Sequence, residues 1–213
     1  MELPKKTVSI SQIRSFYSCP KCWYLNYFLG IELPTPDYFT FGKNVHKAIE
    51  MYHKGEYQYG KPTDKYIDVY RQRYTPKYEQ LEAYFEIPIT NPMNSKETLK
   101  TKLNGVIDKI NEGWIEDHKT ASKKWTQGKL DDDMQMTIYS YAYRKLYNKK
   151  ERGIRINVLL KKAIPELQIL DTFRTLADYI DMYNYVQKYI YDVSMIKGVP
   201  EHSLYCKVKS LFP

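Results

Sequence analysis

Residues 103–120 read Leu-Asn-Gly-Val-Ile-Asp-Lys-Ile-Asn-Glu-Gly-Trp-Ile-Glu-Asp-His-Lys-Thr and hold the side chains best suited to chemistry. Residues 99–110 and 114–119 alternate as strands do, and Asn111-Glu112-Gly113 between them is a turn signal. Side chains alternate across a strand, so Ile115, Asp117 and Lys119 share one face while Trp114, Glu116 and His118 take the other. Paired as a hairpin, the two strands bring Asp108 near Asp117. Two carboxylates side by side repel, and burying them is costly. A divalent cation offsets that repulsion, and hard oxygen ligands suit Mg2+ or Mn2+. Lys119 is placed to orient or deprotonate an attacking water and to neutralise charge in a transition state. That is the equipment of metal-assisted phosphodiester hydrolysis. Asp-x-Lys alone is far more often an ordinary solvated ion pair, so the assignment needs further residues.

Two helical pairs supply them. His46 and Glu50 stand at i and i+4 in Phe-Gly-Lys-Asn-Val-His-Lys-Ala-Ile-Glu, and Gln135 and Tyr139 repeat that spacing downstream. In this order the chain resembles the PD-(D/E)XK nuclease superfamily, in particular its RecB-like branch. That branch includes the RecB nuclease domain, the CRISPR-associated iron–sulfur exonucleases and the mitochondrial genome maintenance exonuclease. The resemblance rests on Ser-Gln-Ile-Arg-Ser-Phe-Tyr-Ser-Cys-Pro (11–20), Gly42-x-x-x-His46, Gly105-Val-Ile-Asp108, Asp117-His-Lys119-Thr120 and Gln135-x-x-x-Tyr139. It implies His46, Asp108 and Asp117 as metal ligands, with the main-chain carbonyl of His118 as another. It implies Lys119 as the catalytic lysine, and Gln135 and Tyr139 as the helix face beside the scissile phosphate. Glu50 would reach the metal through water. Arg14 would approach a phosphate, although helix packing explains it equally well. A nitrogen ligand such as His46 suits Mn2+ better than Mg2+.

The cysteines depart from the family pattern. Iron–sulfur members of the branch carry one Cys near the N-terminus and three near the C-terminus. Here Cys19 and Cys22 lie early and only Cys206 lies in the tail, so four thiolates are not available for a cluster. Cys19-x-x-Cys22 and His202-x-x-x-Cys206 together make a Cys3His set of zinc-like spacing. The competing reading makes Cys22 and Cys206 small apolar residues.

The elements that must position these groups read as follows. Ser11 caps a helix from Gln12, Cys19-Pro20 interrupts it, and a second apolar turn runs from Trp23 to Phe28. Residues 31–38 are a Pro-marked loop, Phe41 to Tyr52 a helix, and Asp64 to Ala83 a helix kinked at Pro76. Strands follow at 85–89, 99–110 and 114–119, then a helix from Asp131 to Tyr147, strands at 154–160 and 167–173, a helix from Thr175 to Lys197 and an irregular tail to Pro213. This order predicts an α+β, mixed α/β fold around one sheet. The resemblance makes it a restriction-endonuclease-like core whose mixed central sheet is flanked by helices. We expect one domain over 1–213, with a helical N-terminal region at 1–83 and a sheet-containing catalytic core at 84–213.

Composition bounds the function. The chain has 213 residues, 43% hydrophobic and 27% charged, which excludes wholesale disorder. No apolar run approaches the roughly 18–20 residues of a membrane span, and the opening Met-Glu-Leu-Pro-Lys-Lys has no apolar stretch. With three Cys, the expectation is a reducing, cytoplasmic setting and no membrane partner. A formal charge of +8 favours polyanion partners, and 22 tyrosines offer stacking faces for unpaired bases. The expected activity is a Mg2+- or Mn2+-dependent DNA exonuclease preferring single strands, in replication, recombination or repair. The alternatives are a structure-specific endonuclease on the same fold, a non-catalytic DNA-binding module, and an adaptor stapled by metal at the Cys/His set.

Overall fold

Capping and turn chemistry set the element boundaries. The structure, a computed structural model, describes residues 3, 6–34, 37–203 and 206. Residues 35–36 of the expected loop and 204, 205 and 207–213 of the expected tail lie outside the described residues. In chain order the elements begin with β1 (Thr7–Val8), α1 (Ile10–Ser18), α2 (Pro20–Trp23) with a π-helical turn after it (Tyr24–Phe28), α3 (Asp37–Lys54) and α4 (Asp64–Arg71). They continue with β2 (Gln80–Asn91), β3 (Asn94–Asn111), β4 (Trp114–Ala121), α5 (Gln127–Asp131), α6 (Met134–Tyr147), β5 (Gly153–Leu160), β6 (Glu166–Thr172) and α7 (Leu176–Ser194). Among the described residues no helix is long and apolar enough to cross a membrane.

The chain forms two compact units. The first takes the chain up to Pro34, Phe85–Gly105 and the chain from Thr175 on; the second takes residues 35–84 and Val106–Arg174. Strands β2 and β3 run through both.

In the first unit, α1 starts two residues earlier than expected. Ser9, not Ser11, is the N-cap, its side chain accepting the Gln12 N–H, and the extra residues bury Ile10 with Ile13 and Phe16. Phe16 packs edge-on against Trp23 and Tyr189, with ring centroids 5.2 and 5.4 Å away. Trp23 Nε1 donates to Tyr189 Oη at 3.0 Å, which fixes α2 on α7. Helix α7 opens with a capping box between Thr175 and Asp178 and buries Tyr179, Met182, Tyr183, Val186, Tyr189 and Val193 at helical spacing. Strand β1 lies parallel to β3, Thr7 opposite Lys102 and Val8 opposite Leu103. A Cβ on Gly105 would lie 2.7 Å from Cζ of the buried Phe85 ring. Gly105→Ala is therefore expected to lower stability by about 1–3 kcal/mol through overpacking, and Gly105→Ala with Phe85→Leu to recover much of it, read by thermal melts.

In the second unit, β3 pairs antiparallel with β4, β4 parallel with β5, and β5 antiparallel with β6. This is the expected mixed sheet. The Asn111–Gly113 turn forms as read, with Glu112 and Gly113 both at positive φ (51° and 77°). Helices α3 and α4 close over a core of Val45, Ala48, Ile49, Tyr66, Ile67, Tyr70 and Leu159. Helix α6 is buried all round from Met136 to Tyr143 and ends on Asn148 in the left-handed conformation.

Other boundaries differ from expectation as well: α3 begins at Asp37, inside the expected loop over 31–38, and α7 ends at Ser194 rather than Lys197. The helix expected over 64–83 stops at Arg71, and β2 begins at Gln80. Pro76 lacks an N–H and biases its predecessor to extended backbone, so the helix cannot resume. The helix expected from Asp131 begins instead at Met134 as α6, because Asp133 is extended and accepts the Gln135 N–H at 2.8 Å as its N-cap, and the short α5 before it was not expected. The β2–β3 hairpin reaches beyond its apolar alternation into polar residues 94–98, because backbone pairing does not require buried side chains.

Candidate active site

The site is built on β4, which has strand partners on both sides and so buries Ile115, Glu116, Asp117 and His118 in succession. Lys109 stands opposite Glu116 and Ile110 opposite Ile115 in the β3–β4 ladder, so Asp108 falls opposite Asp117 on one sheet face. Asp108 Oδ2 accepts the backbone N–H of His118 at 2.8 Å. Asp117 is 0% exposed. Lys119 Nζ lies 2.8 Å from Asp117 Oδ1 and 2.7 Å from Oδ2. Only Oδ1 receives an aligned hydrogen bond, leaving Oδ2 buried without one.

Helix α3 brings His46 to this face. Gly42 makes the close approach possible: a Cβ there would stand 3.3 Å from Thr120 Oγ1. His46 Nδ1 lies 3.3 Å from Asp108 Oδ2, and its ring hydrogen-bonds the main-chain carbonyl of His118. Helix α6 supplies Gln135, whose Nε2 donates to Tyr139 Oη at 2.6 Å and lies 3.5 Å from Asp117 Oδ1. Tyr139 is 5% exposed, so it aligns Gln135 rather than presenting a face for base stacking.

The electrostatics follow from burial. Burial pushes the Asp108 carboxyl up to about 6 against the pull of Lys119. Burial, and then the neighbouring charge of Asp108, push Asp117 up to about 6 as well. Burial works to lower the Lys119 ammonium, but Asp117 and Asp108 outweigh it and hold its pKa above the ordinary value. Burial and the charge of Lys119 hold His46 below its ordinary value, so its ring is neutral and able to ligate.

Two raised carboxyls, a hydrogen-bond-free buried oxygen and a neutral imidazole suit a hard divalent cation. The ring of donors is open as arranged. His46 reaches Asp108, while Lys119 and Gln135 reach Asp117. Among the described residues only Cys19, Cys22, His202 and Cys206 gather three or more donor atoms within 4.8 Å of one another. Glu50 is clamped by Lys47 at 2.8 Å and Lys54 at 2.6 Å. Arg14 is exposed on α1, where its charge acts on Tyr185.

Two features escaped the reading from sequence. Glu82 adds negative charge that acts on Asp108 and Tyr139, from a residue at φ 49° near the start of β2. The signal was the alternation of buried Ala83, Phe85, Ile87 and Ile89 with exposed neighbours, which extends the strand back past the expected 85. On the opposite sheet face Lys109 and Glu116 form an ion pair at 3.0 Å, 2% and 4% exposed. Beside it Arg155 binds Asp171 through two hydrogen bonds of 2.7 and 2.8 Å, and Tyr74 Oη donates to Asn157 at 2.6 Å. This polar layer, buried at Lys109, Glu116 and Asn157 and half-buried at Tyr74, Arg155 and Asp171, links β3, β4, β5 and β6 beneath the site.

Comparison with known proteins bears on the family and the fold. The profile of the PD-(D/E)XK nuclease superfamily matches residues 7–194. No curated protein matches the sequence. Among solved structures, a candidate exonuclease from Eubacterium rectale superposes with a TM-score of 0.67 at 12% identity, covering 98% of this chain and 88% of that one. The protein SSO0001 superposes with a TM-score of 0.51 at 11% identity, covering 92% and 88%. At such identities these two likenesses concern the fold alone, whereas the profile spans most of the sequence. The chain belongs to the PD-(D/E)XK nuclease superfamily.

Proposed function

We propose that this nuclease is a RecB-like, divalent-metal-dependent DNA exonuclease that prefers single strands and works in replication, recombination or repair. The observation that carries the catalytic reading is the placement of Asp108, Asp117 and Lys119 on one sheet face, with His46 and Gln135 aimed at it from two helices. Asp108, Asp117, His46 and the His118 carbonyl would hold Mg2+ or Mn2+. Bound there, the ion supplies Lewis-acid polarisation of the phosphate and offsets the buried carboxylate charge.

The chain's own residues divide the remaining work. In hydrolysis the water oxygen forms a new P–O bond, the bridging P–O bond breaks, and the leaving oxygen takes up a proton. Lys119, held above its ordinary value by the carboxylates, is an ammonium at neutral pH. Its charge therefore stabilises the negative charge developing on the phosphate, and of the roles open to it this one needs no prior loss of a proton. Gln135, aligned by Tyr139, offers an amide donor beside Asp117. The preference for single strands is supported by the excess of Lys and Arg, 33 against 25 acidic residues, and by exposed rings such as Tyr59, Tyr78 and Tyr84.

A time course on end-labelled linear single strands, circular single strands and duplexes, with Mn2+, Mg2+ or chelator, tests the proposal. The expected result is stepwise loss of nucleotides from linear single strands, intact circles, and no cleavage in chelator. Rapid cutting of circles would make the protein an endonuclease. Binding without cleavage in any metal would make it a non-catalytic DNA-binding module.

A further inference from the structure

Both ends of the first unit contribute to a second cluster of donor atoms. Cys19 Sγ lies 3.5 Å and Cys22 Sγ 3.8 Å from His202 Nδ1, and Cys22 Sγ lies 3.1 Å from Cys206 Sγ. One donor atom from each of the four residues falls within 4.8 Å of all the others. Zinc binds sulfur at about 2.3 Å and nitrogen at about 2.0–2.1 Å. At the tetrahedral angle its ligand sulfurs stand about 3.8 Å apart, and sulfur and nitrogen about 3.5 Å apart. The two sulfur–nitrogen separations, 3.5 and 3.8 Å, are close to that spacing, and the Cys22–Cys206 separation of 3.1 Å is shorter, so the sulfurs would move apart on taking up an ion. A four-iron cluster takes its ligands at separate corners of a cube and draws on four thiolates, so three sulfurs and an imidazole gathered this closely do not suit it.

Two further observations point the same way. The backbone N–H of Cys22 donates to Cys19 Sγ at 3.4 Å, and the backbone N–H of Ser203 donates to the same sulfur. Such bonds, one from each end of the unit, stabilise the thiolate form that ligates metal. In addition, residues 195–203 form neither helix nor strand, yet His202 is brought back to a cysteine 183 positions earlier in sequence.

We propose that Cys19, Cys22, His202 and Cys206 bind one structural Zn2+ that staples the C-terminal tail to the N-terminal helices. The three thiols release their protons to solvent on binding, and His202 ligates as a neutral ring through Nδ1. Closing so long a loop constrains the unfolded chain, so the effect falls on stability. The proposal is independent of the carboxylates at Asp108 and Asp117.

Metal analysis of the full chain, purified without chelator and passed over a metal-scavenging resin, is expected to find one equivalent of zinc and neither iron nor acid-labile sulfide. Cobalt substitution is expected to give the intense visible absorption of a tetrahedral thiolate site. Cys22→Ser and Cys206→Ser are expected to retain under about a tenth of an equivalent and to melt roughly 5–15 °C lower. His202→Cys is expected to keep its zinc, which separates loss of a ligand from mere damage to the fold. Asp117→Asn is expected to keep its zinc while losing cleavage, so failure of either proposal is visible without the other. Unsubstituted protein with less than about a tenth of an equivalent of zinc would overturn the assignment. So would iron with labile sulfide, or a Cys22–Cys206 disulfide in freshly prepared protein.

Discussion

Lys119→Met protein is expected to bind a single-stranded oligonucleotide about as tightly as the parent and to cleave it roughly 10²–10³-fold more slowly. The reason is geometric. Nζ of Lys119 lies within hydrogen-bond reach of both Asp117 oxygens, on the face where Asp108 and His46 meet. Both carboxyls hold the ammonium charged, so what Met removes is a fixed positive charge on that face, and not a proton acceptor. The loss is therefore expected in kcat rather than in KM, since an interaction made only in the transition state leaves ground-state binding alone. Met also leaves Asp117 buried without its partner, which costs stability. The comparison is consequently made on protein shown to be folded by circular dichroism and by its melting temperature. Asp117→Asn is expected to remove cleavage more completely. A folded Lys119→Met protein that cleaves at nearly the parental rate would remove Lys119 from the chemistry.

Without divalent metal, the site is expected to destabilise the fold, in a way that depends on pH. Burial raises the folded-state value of Asp108, and separately of Asp117, to about 6, while an unfolded carboxyl titrates near 3.8. Between those values these two carboxyls bind more protons in the folded protein than in the unfolded chain, so their contribution to stability falls as pH rises through the window and levels off above it. A shift of about two units corresponds to roughly 2–3 kcal/mol for one group, and the coupled pair titrates in shared steps. Asp108→Asn keeps an oxygen to accept the His118 N–H and removes one of the two charges. In chelator at pH 8 this variant is expected to melt roughly 5–10 °C above the parent, with the difference shrinking towards pH 4.5. Saturating Mn2+ is expected to stabilise the parent and not the variant. Thermal melts from pH 4.5 to 8 with and without metal decide this. Equal melting temperatures at pH 8 in chelator, or a difference between variant and parent that shrinks as pH rises from 4.5 to 6.5, would show that the two carboxyls are not held together as described; the comparison is between the two proteins because the buried His46, His53 and His118, held below their ordinary values, add stability to both as pH rises.

Much of the site was legible because it is written in local periodicity. Alternation along 114–119 puts Asp117 and Lys119 on one face whatever surrounds them, and the Asn111–Gly113 turn fixes the register that sets Asp108 opposite. His46 with Glu50, and Gln135 with Tyr139, are helical pairs for the same reason. Their fates differ nonetheless. Glu50 is held between two lysines, while Gln135 is turned towards Asp117 by a buried phenol. Spacing places residues on a face and is silent on which neighbour claims them. Glu82 was missed because the stretch before Pro76 reads as a helix, and one proline decides whether the pattern continues as helix or restarts as strand.

By itself, then, the order of residues determined the mixed α+β architecture, the shared face of Asp108, Asp117 and Lys119, and the Cys-x-x-Cys and His-x-x-x-Cys halves. Periodicity and turn chemistry act within a few residues, so they survive without knowledge of the rest of the chain. Tertiary structure alone decided that α3 approaches β4 closely enough at Gly42 for His46 to reach Asp108. It also decided that the two halves of the Cys/His set meet across 183 residues, and that Lys109 and Glu116 lie buried as a pair beneath the site. These depend on which surfaces exclude water from which charges, and desolvation is a property of the assembled fold rather than of any segment within it.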